Sequence, residues 1–148
     1  MGLSATEAWA QSNKARVSGL SDIAFGEISS AGTDRRASQS ICAFAQSSQN
    51  SYSVSATGTG PSGAFLLSSS SGTIPYEVEW ASSANQQTGD ALRPGVANSG
   101  LRSSATQHTC NSGPNSNASL IIVVRASEAG SARAGMYSGN LTVTIAPD

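Results

Sequence analysis

Alternation of apolar and polar residues with a period of two is the strongest pattern in this 148-residue chain. It runs through residues 51–57, 74–80 and 137–145, where Ser, Thr, Glu and Asn fill most of the intervening positions. Such a period predicts β-strands with one face in a core and the other in water. Residues 120–124 are apolar throughout and too few for a helix, which predicts a central strand buried on both faces.

Segments rich in Gly, Pro, Asn and Ser separate these runs, as expected of turns between short strands. Two more short strands are expected at residues 23–25 and 40–44. Residues 126–134 have helical character, but Gly130 interrupts them, so we expect a loop or a single turn there. About seven strands with no helix pattern between them predict an all-β fold, an immunoglobulin-like antiparallel β-sandwich, with a barrel as the alternative.

Charged residues make up 11% of the chain, and the net charge is −1. The eight basic residues are scattered, so the sequence has no basic patch of the kind that binds nucleic acid. No apolar run approaches the ~20 residues needed to span a bilayer, so we expect no membrane insertion. Abundant Ser and Thr with few charges suit short strands and polar turns rather than long surface helices.

The chain has two cysteines, Cys42 and Cys110, and neither lies in a CxxC motif or beside a pair of histidines. In a small, charge-poor chain rich in Ser and Thr this favours one disulfide and an oxidising compartment. For a cytosolic protein, two free thiols are the alternative.

The first residues also point to export. Ala8-Trp9-Ala10, followed by Gln11, resembles the end of a secretory signal. We therefore expect residues 1–13 to be a signal remnant or a flexible N-terminal segment, and residues 14–148 to form a single β-sandwich domain.

Few titratable side chains are placed for catalysis, so we expect no enzymatic activity, no cofactor and no metal. His108, the single histidine, lies in a polar stretch without a nearby carboxylate pair, and we interpret it as an exposed polar residue. Residues 58–63 fit GxGxxG, but no helix pattern follows, which favours a turn over a nucleotide-binding loop. Trp80, Tyr76 and Phe25 are expected in the core rather than in a sugar-binding platform.

Five short motifs follow one another in a distinctive order. They are Ile23-Ala24-Phe25-Gly26, similar to L-x-F-G; the cysteine strand Ser40-Ile41-Cys42; residues 52–58, similar to Y-x-V-x-x-x-G; residues 74–78, similar to L-x-Y-x-L; and residues 134–145, close to A-G-x-Y-x-D-x-L-T-V-T-I. In this order they resemble the spore coat protein U domain family, which includes pilins of the archaic (Csu-type) chaperone–usher pathway. The resemblance covers residues 21–145.

The resemblance implies a sandwich that lacks its last strand and has an apolar, strand-accepting groove beside its terminal strand. The implied groove residues are Ile23, Phe25, Leu141, Val143 and Ile145. A periplasmic chaperone fills such a groove first, and a strand from another protein subunit fills it in the assembly, by β-strand addition to an open edge. We thus expect a structural subunit of an exported pilus or coat, periplasmic and then at the cell surface or extracellular. A strand-swapped homo-oligomer is a further expected form.

A second hypothesis stays open because residues 11–16 are polar and make a poor donor strand. In this hypothesis the chain folds into a self-complete secreted β-sandwich domain that binds a carbohydrate or a host protein. The two hypotheses differ at the terminal strand. An assembly subunit needs its second edge for a partner, whereas a self-complete domain seals that edge with its own chain.

Overall fold

The computed structural model describes residues 2–11, 15–24, 33–46, 49–105, 110, 116–133 and 135–148, and for residues 5–11, 24 and 131 it describes the backbone alone. The fold is an all-β sandwich of two sheets packed on each other, which confirms the expected fold class. The strands in chain order are β1 (Gly2–Gln11), β2 (Ala15–Ser18), β3 (Ile23–Ala24), β4 (Arg35–Ala45), β5 (Ser51–Thr57), β6 (Leu66–Ser69), β7 (Gly72–Pro75), β8 (Glu77–Ala81), β9 (Asp90–Leu92), β10 (Asn98–Arg102), β11 (Ala118–Val124) and β12 (Ser138–Pro147).

The two sheets meet at β1. The first sheet contains, in spatial order, β10, β5, β12 and β1, with β3 beside β1 and the β6–β7 hairpin beside the start of β12. The second sheet contains β2, β4, β11, β8 and β9. The named strands pair antiparallel, except that β1 runs parallel to β12. β1 belongs to both sheets, because residues 2–8 pair with β12, whereas Trp9 and Gln11 pair with β2.

The alternation in the sequence places the core between the sheets. In β5, Tyr52, Val54 and Ala56 are buried, whereas the Ser and Thr residues between them are partly or fully exposed. β11, which contains the continuous apolar run of residues 120–124, is buried at every residue in the centre of the second sheet. The indole N–H of Trp80 donates to the hydroxyl of Tyr52 at 3.1 Å, so these two polar groups satisfy each other inside the core. Burial raises the pKa of the Tyr52 phenol.

β4 changes its neighbour halfway along its length. Residues 35–41 pair with β11, and residues 42–45 pair with β2. At the point of change, Cys42 forms a disulfide with Cys110, and both residues are buried. The structure thereby contains the disulfide that the composition favours. It ties the chain ahead of β11 to β4 across a sequence separation of 68 residues.

The predicted helical turn is α1 (Ala126–Ser131), which follows β11. The carboxylate of Asp34 accepts a hydrogen bond from the N–H of Ala126 at 2.8 Å and so satisfies one of the free amides of the first turn. Within the described part of the chain, no helix combines the length and the hydrophobicity that a bilayer crossing requires.

The fold departs from the sequence-based expectation in three places. Residues 2–11 form a strand rather than a flexible segment, because their backbone supplies the hydrogen bonds that the second edge of β12 would otherwise lack. β2, β6, β9 and β10 were not predicted, because strands of three to five residues are too short to show a period. The strand predicted over residues 74–80 breaks at Tyr76, whose N–H donates to the carbonyl of Phe65.

Candidate functional site: the seam filled by β1

β12 carries the apolar stripe on which the terminal-strand prediction depends. Leu141, Val143 and Ile145 are fully buried, whereas the residues between them are partly exposed. Along one edge, residues 142–147 pair antiparallel with β5. This edge of β12 is therefore already occupied by a strand from the interior of the sequence.

β1 covers the other edge of β12. Seven consecutive residue pairs, from Gly2↔Ser138 to Ala8↔Thr144, run in parallel register. On its far side β1 pairs with β3 at its start and with β2 at its end. We call the space between β12 and β2, which β1 fills, the seam. Without β1, one edge of β12 would lose these seven pairs.

Four of the five predicted groove residues lie together in the core. These four, Ile23, Leu141, Val143 and Ile145, belong to one buried cluster. The fifth, Phe25, lies outside the described residues. Leu3 of β1 belongs to the same cluster and is 1% exposed. The edge of β12 beside these residues is covered rather than open, because β1 supplies both a backbone partner for β12 and an apolar side chain for the cluster.

The start of β12 is held in place by contacts other than β1. A Cβ atom at Gly139 would lie 2.8 Å from the carbonyl oxygen of Leu66, so the close approach of the β6–β7 hairpin requires glycine there. Tyr137, just ahead of β12, is buried, and its hydroxyl donates to the carbonyl of Arg133 at 2.6 Å. Together with the pairing to β5, these contacts give the seam one wall that does not depend on β1.

The opposite wall of the seam, β2, rests on β4. Val17 of β2 pairs with Ala43 of β4. On the other side of Ala43, the side-chain oxygen of Asn117 accepts from the Ala43 N–H at 2.7 Å, and the side-chain amide of Asn117 donates to the Ala43 carbonyl at 2.9 Å. Asn117 thus forms hydrogen bonds with the backbone of β4 at the point along β4 where its pairing with β11 has ended and its pairing with β2 has begun. The sequence gives little sign of this role, because one Asn ahead of an apolar strand is equally typical of a turn.

The outermost strands of the two sheets are poorly suited to accept a further strand. β9 has three residues. The register of β10 with β5 shifts between Asn98 and Leu101, around Gly100 with its φ of 79°. The N–H of Gly100 already donates to the carboxylate of Asp148 at 3.0 Å. Short and bulged edges resist pairing with another chain, whereas β1 and β12 form seven consecutive pairs without a shift of register.

The outer face of the second sheet is covered by the loop over residues 82–89. The hydroxyl of Ser119 donates to the carbonyl of Ser83 at 2.7 Å and accepts from the N–H of Gln86 at 3.0 Å. Further hydrogen bonds tie this loop to β4, from the Asn85 N–H to Ser40 and from the Gln87 side chain to Ser38. Ile121 and Val123 alternate with core residues of β11, yet both are fully buried. This face is therefore not open to a partner.

An ion-pair cluster joins β8, the end of β11 and the chain ahead of β4. The guanidinium of Arg125 donates two hydrogen bonds to Glu77, at 2.7 and 2.8 Å, and one to Asp34 at 2.9 Å. The bonds from Arg125 lower the pKa of Glu77. The backbone N–H of Ala126, followed by Arg125, lowers the pKa of Asp34. All three groups are charged at neutral pH, as is typical of ion pairs that link elements of a fold.

The GxGxxG segment forms the turn that was predicted. The N–H of Gly58 donates to the carbonyl of Gly63 at 2.7 Å, and the N–H of Gly60 donates to the carbonyl of Ala64 at 3.0 Å. Pro61–Gly63 is a short 3-10 turn rather than the start of a helix. The amides of Gly58 and Gly60 are therefore used inside the turn and do not face a phosphate.

The other candidate residues do not assemble into a second site. His108 lies outside the described residues. Among the residues that the structure does describe, no three His, Cys, Asp or Glu side chains are grouped so as to hold a metal ion. Trp80 and Tyr76 are 0% and 4% exposed, so both lie in the core as expected and neither is available to a sugar.

The fold and the seam define an all-β sandwich protein with one disulfide and with one sheet edge covered by the first strand of the described chain. Comparison with protein-family models, with curated proteins and with solved structures finds no match in any of the three. The geometry of the seam is therefore the feature from which a function can be argued.

Proposed function

We propose that the protein is a structural, non-catalytic subunit of an exported surface assembly, a pilus or a coat, whose subunits join by strand complementation at the seam. The observation that carries this proposal is the pairing of β12. One edge is paired with β5, and the other is paired with β1, whose departure would break no strand pairing except those of β1 itself with β12, β2 and β3.

Strand addition fits the physical character of the seam. A strand from another chain could replace β1 and form the same backbone hydrogen bonds with β12, while its alternate side chains contact Leu141 and Val143. In this proposal a periplasmic chaperone supplies the first replacement strand and a second subunit supplies the final one. The buried disulfide between Cys42 and Cys110 is compatible with an oxidising compartment such as the periplasm or the cell exterior.

A pair of cysteines across the seam tests this function. Ser4 of β1 and Asn140 of β12 are register partners, so Ser4→Cys with Asn140→Cys places two thiols at disulfide distance. We expect oxidation at rising protein concentration to give covalent dimers and longer species on non-reducing gels, because β1 of one copy can fill the seam of another. Light scattering should show the same species before oxidation.

The matched control lies on the other edge of β12. Ser55 of β5 and Thr144 of β12 are also register partners, and this edge has no exchangeable strand. Ser55→Cys with Thr144→Cys should therefore give the intramolecular disulfide at every concentration. If the Ser4 and Asn140 pair behaves in the same way, and if no added strand peptide enters the seam, the assembly function is wrong.

The filled seam itself favours a second candidate function. Because β1 seals β12 within one chain, the protein can also be a self-complete secreted domain that binds a carbohydrate or a host protein. This candidate predicts a monomer at all concentrations and an intramolecular disulfide for both cysteine pairs. The disulfide pattern on the gel and the peptide experiment together separate the two candidates.

A further inference from the structure

β1 has a small residue and an acidic residue at two register positions of the seam. The backbone register places Ala5 opposite Leu141 and Glu7 opposite Val143. Leu141 and Val143 are fully buried, and so is Leu3, two positions ahead of Ala5. Because residues two apart lie on the same face of a strand, positions 5 and 7 belong to the face of β1 that Leu3 shares with the core.

A strand suited to this register would have a large apolar residue at both positions. β1 instead has alanine at position 5, with only a methyl group as its side chain, and an acidic residue at position 7. An acidic residue at a core-face position costs stability unless it is paired. Parallel pairing is also slightly weaker per residue than the antiparallel pairing on the other edge of β12. The unsuitable residue types are confined to positions 5 and 7, since Leu3 is apolar and buried in the core.

We propose that β1 is a displaceable occupant of its own seam, and that Glu7, at the register position opposite Val143, determines how readily β1 leaves. This inference rests on the proposed assembly function and adds a regulatory contact to it. β1 protects the edge of β12 in the isolated chain. A strand from another chain displaces it when that strand places aliphatic residues opposite both Leu141 and Val143.

Amide hydrogen exchange of the full chain measures the opening of β1 directly. In Glu7→Val we expect the amides of residues 138–144 that face β1 to exchange about tenfold more slowly than in the unchanged chain, because each 1.4 kcal/mol is a factor of ten. Thr6→Val is the matched control, since Thr6 pairs with Thr142 on the opposite face of the strand. It should leave the exchange of these amides nearly unchanged.

Peptide uptake by the full chain measures displacement. We use a fluorescent ten-residue peptide with the sequence of β1 and a second peptide with Val in place of Glu7. We expect the second peptide to enter the seam of the unchanged chain with about tenfold higher affinity than the first. The chain with Glu7→Val should take up either peptide about tenfold more weakly than the unchanged chain.

Two results would overturn the inference. Equal exchange rates in Glu7→Val and Thr6→Val would show that position 7 is not on the core face. Equal affinity of the two peptides would show that Glu7 does not control displacement. In both cases peptide uptake could still occur, which would leave the assembly function intact, whereas the absence of uptake by every variant would contradict that function.

Discussion

The side chain of Asn117 forms the two hydrogen bonds with Ala43 that the backbone of a neighbouring strand would otherwise form. It accepts from the N–H and donates to the carbonyl of Ala43, and its amide also donates to the hydroxyl of Ser103 at 3.2 Å. Asn117 is 6% exposed, so water does not easily replace these bonds. The Asn117-Ala118-Ser119 sequence matches the acceptor for N-glycosylation, but the burial of Asn117 means that the folded chain offers no free amide there.

We expect Asn117→Ala to destabilise the protein by about 1–3 kcal/mol, because it leaves the buried N–H of Ala43 without this partner, whereas the Ala43 carbonyl keeps its hydrogen bond from the hydroxyl of Ser103. Urea unfolding followed by tryptophan fluorescence provides the measurement. Asn140→Ala is the control: Asn140 is exposed in β12, and its replacement should change the free energy of unfolding by less than about 0.5 kcal/mol. Equal losses in the two variants would argue against the role assigned to Asn117.

At the scale of elements, Arg125 links three segments that are far apart in the sequence: β8, the end of β11 and the residues ahead of β4. Its guanidinium holds Glu77 of β8 and Asp34, and Asp34 in turn binds the first amide of α1. The pKa values of Glu77 and Asp34 are lowered in the folded chain, so both groups bind protons less readily than in the unfolded chain. Their stabilising contribution is present above their unfolded pKa values, about 4.3 and 3.9, and is lost as the pH falls through the lower folded values.

We therefore expect the free energy of unfolding to decrease as the pH is lowered below about 4.3. In Arg125→Gln this decrease should be shallower, because the two carboxylates lose the cation that lowers their pKa values. Arg93→Gln, at an exposed position between β9 and β10, should retain the full decrease. Urea titrations at a series of pH values check this, and an unchanged slope in Arg125→Gln would contradict the assignment.

The elements that could be predicted from the sequence are those with a period. β5, β11 and β12 stand out because their alternation or continuous hydrophobicity follows from their place in the core. β1 could not be predicted, because its sequence shows no apolar stripe: the positions in register with Leu141 and Val143 hold Ala5 and Glu7. Four of the five expected groove residues lie together in the core, but which strand pairs with β12 beside them depends on long-range pairing. No local pattern encodes such pairing.

For the molecule as a whole, the disulfide between Cys42 and Cys110 is the longest-range covalent constraint. It closes a loop of 68 residues, which corresponds to about 4 kcal/mol of lost unfolded-state entropy. It also packs with Phe44 and Ala105 in a small cluster apart from the main core. The disulfide therefore stabilises the end of the sandwich where β4 passes from β11 to β2.

We expect Cys42→Ala with Cys110→Ala to lower the free energy of unfolding by about 3–4 kcal/mol, and reduction of the unchanged protein to have a similar effect. Urea unfolding with and without dithiothreitol gives both values. The double variant is its own control, because the reductant should not alter its stability. Unfolding of the unchanged protein that is insensitive to reduction would contradict this expectation.

The parallel direction of β1 and β12 has a mechanical consequence. Gly2 lies beside Ser138 at one end of the pair, whereas Pro147 and Asp148 lie at the other end. Tension applied between Gly2 and Asp148 would pull the two strands lengthwise past each other. The seven residue pairs would then share the load and would have to break together rather than one after another, so a chain stretched along this axis should withstand greater force than one peeled apart sideways.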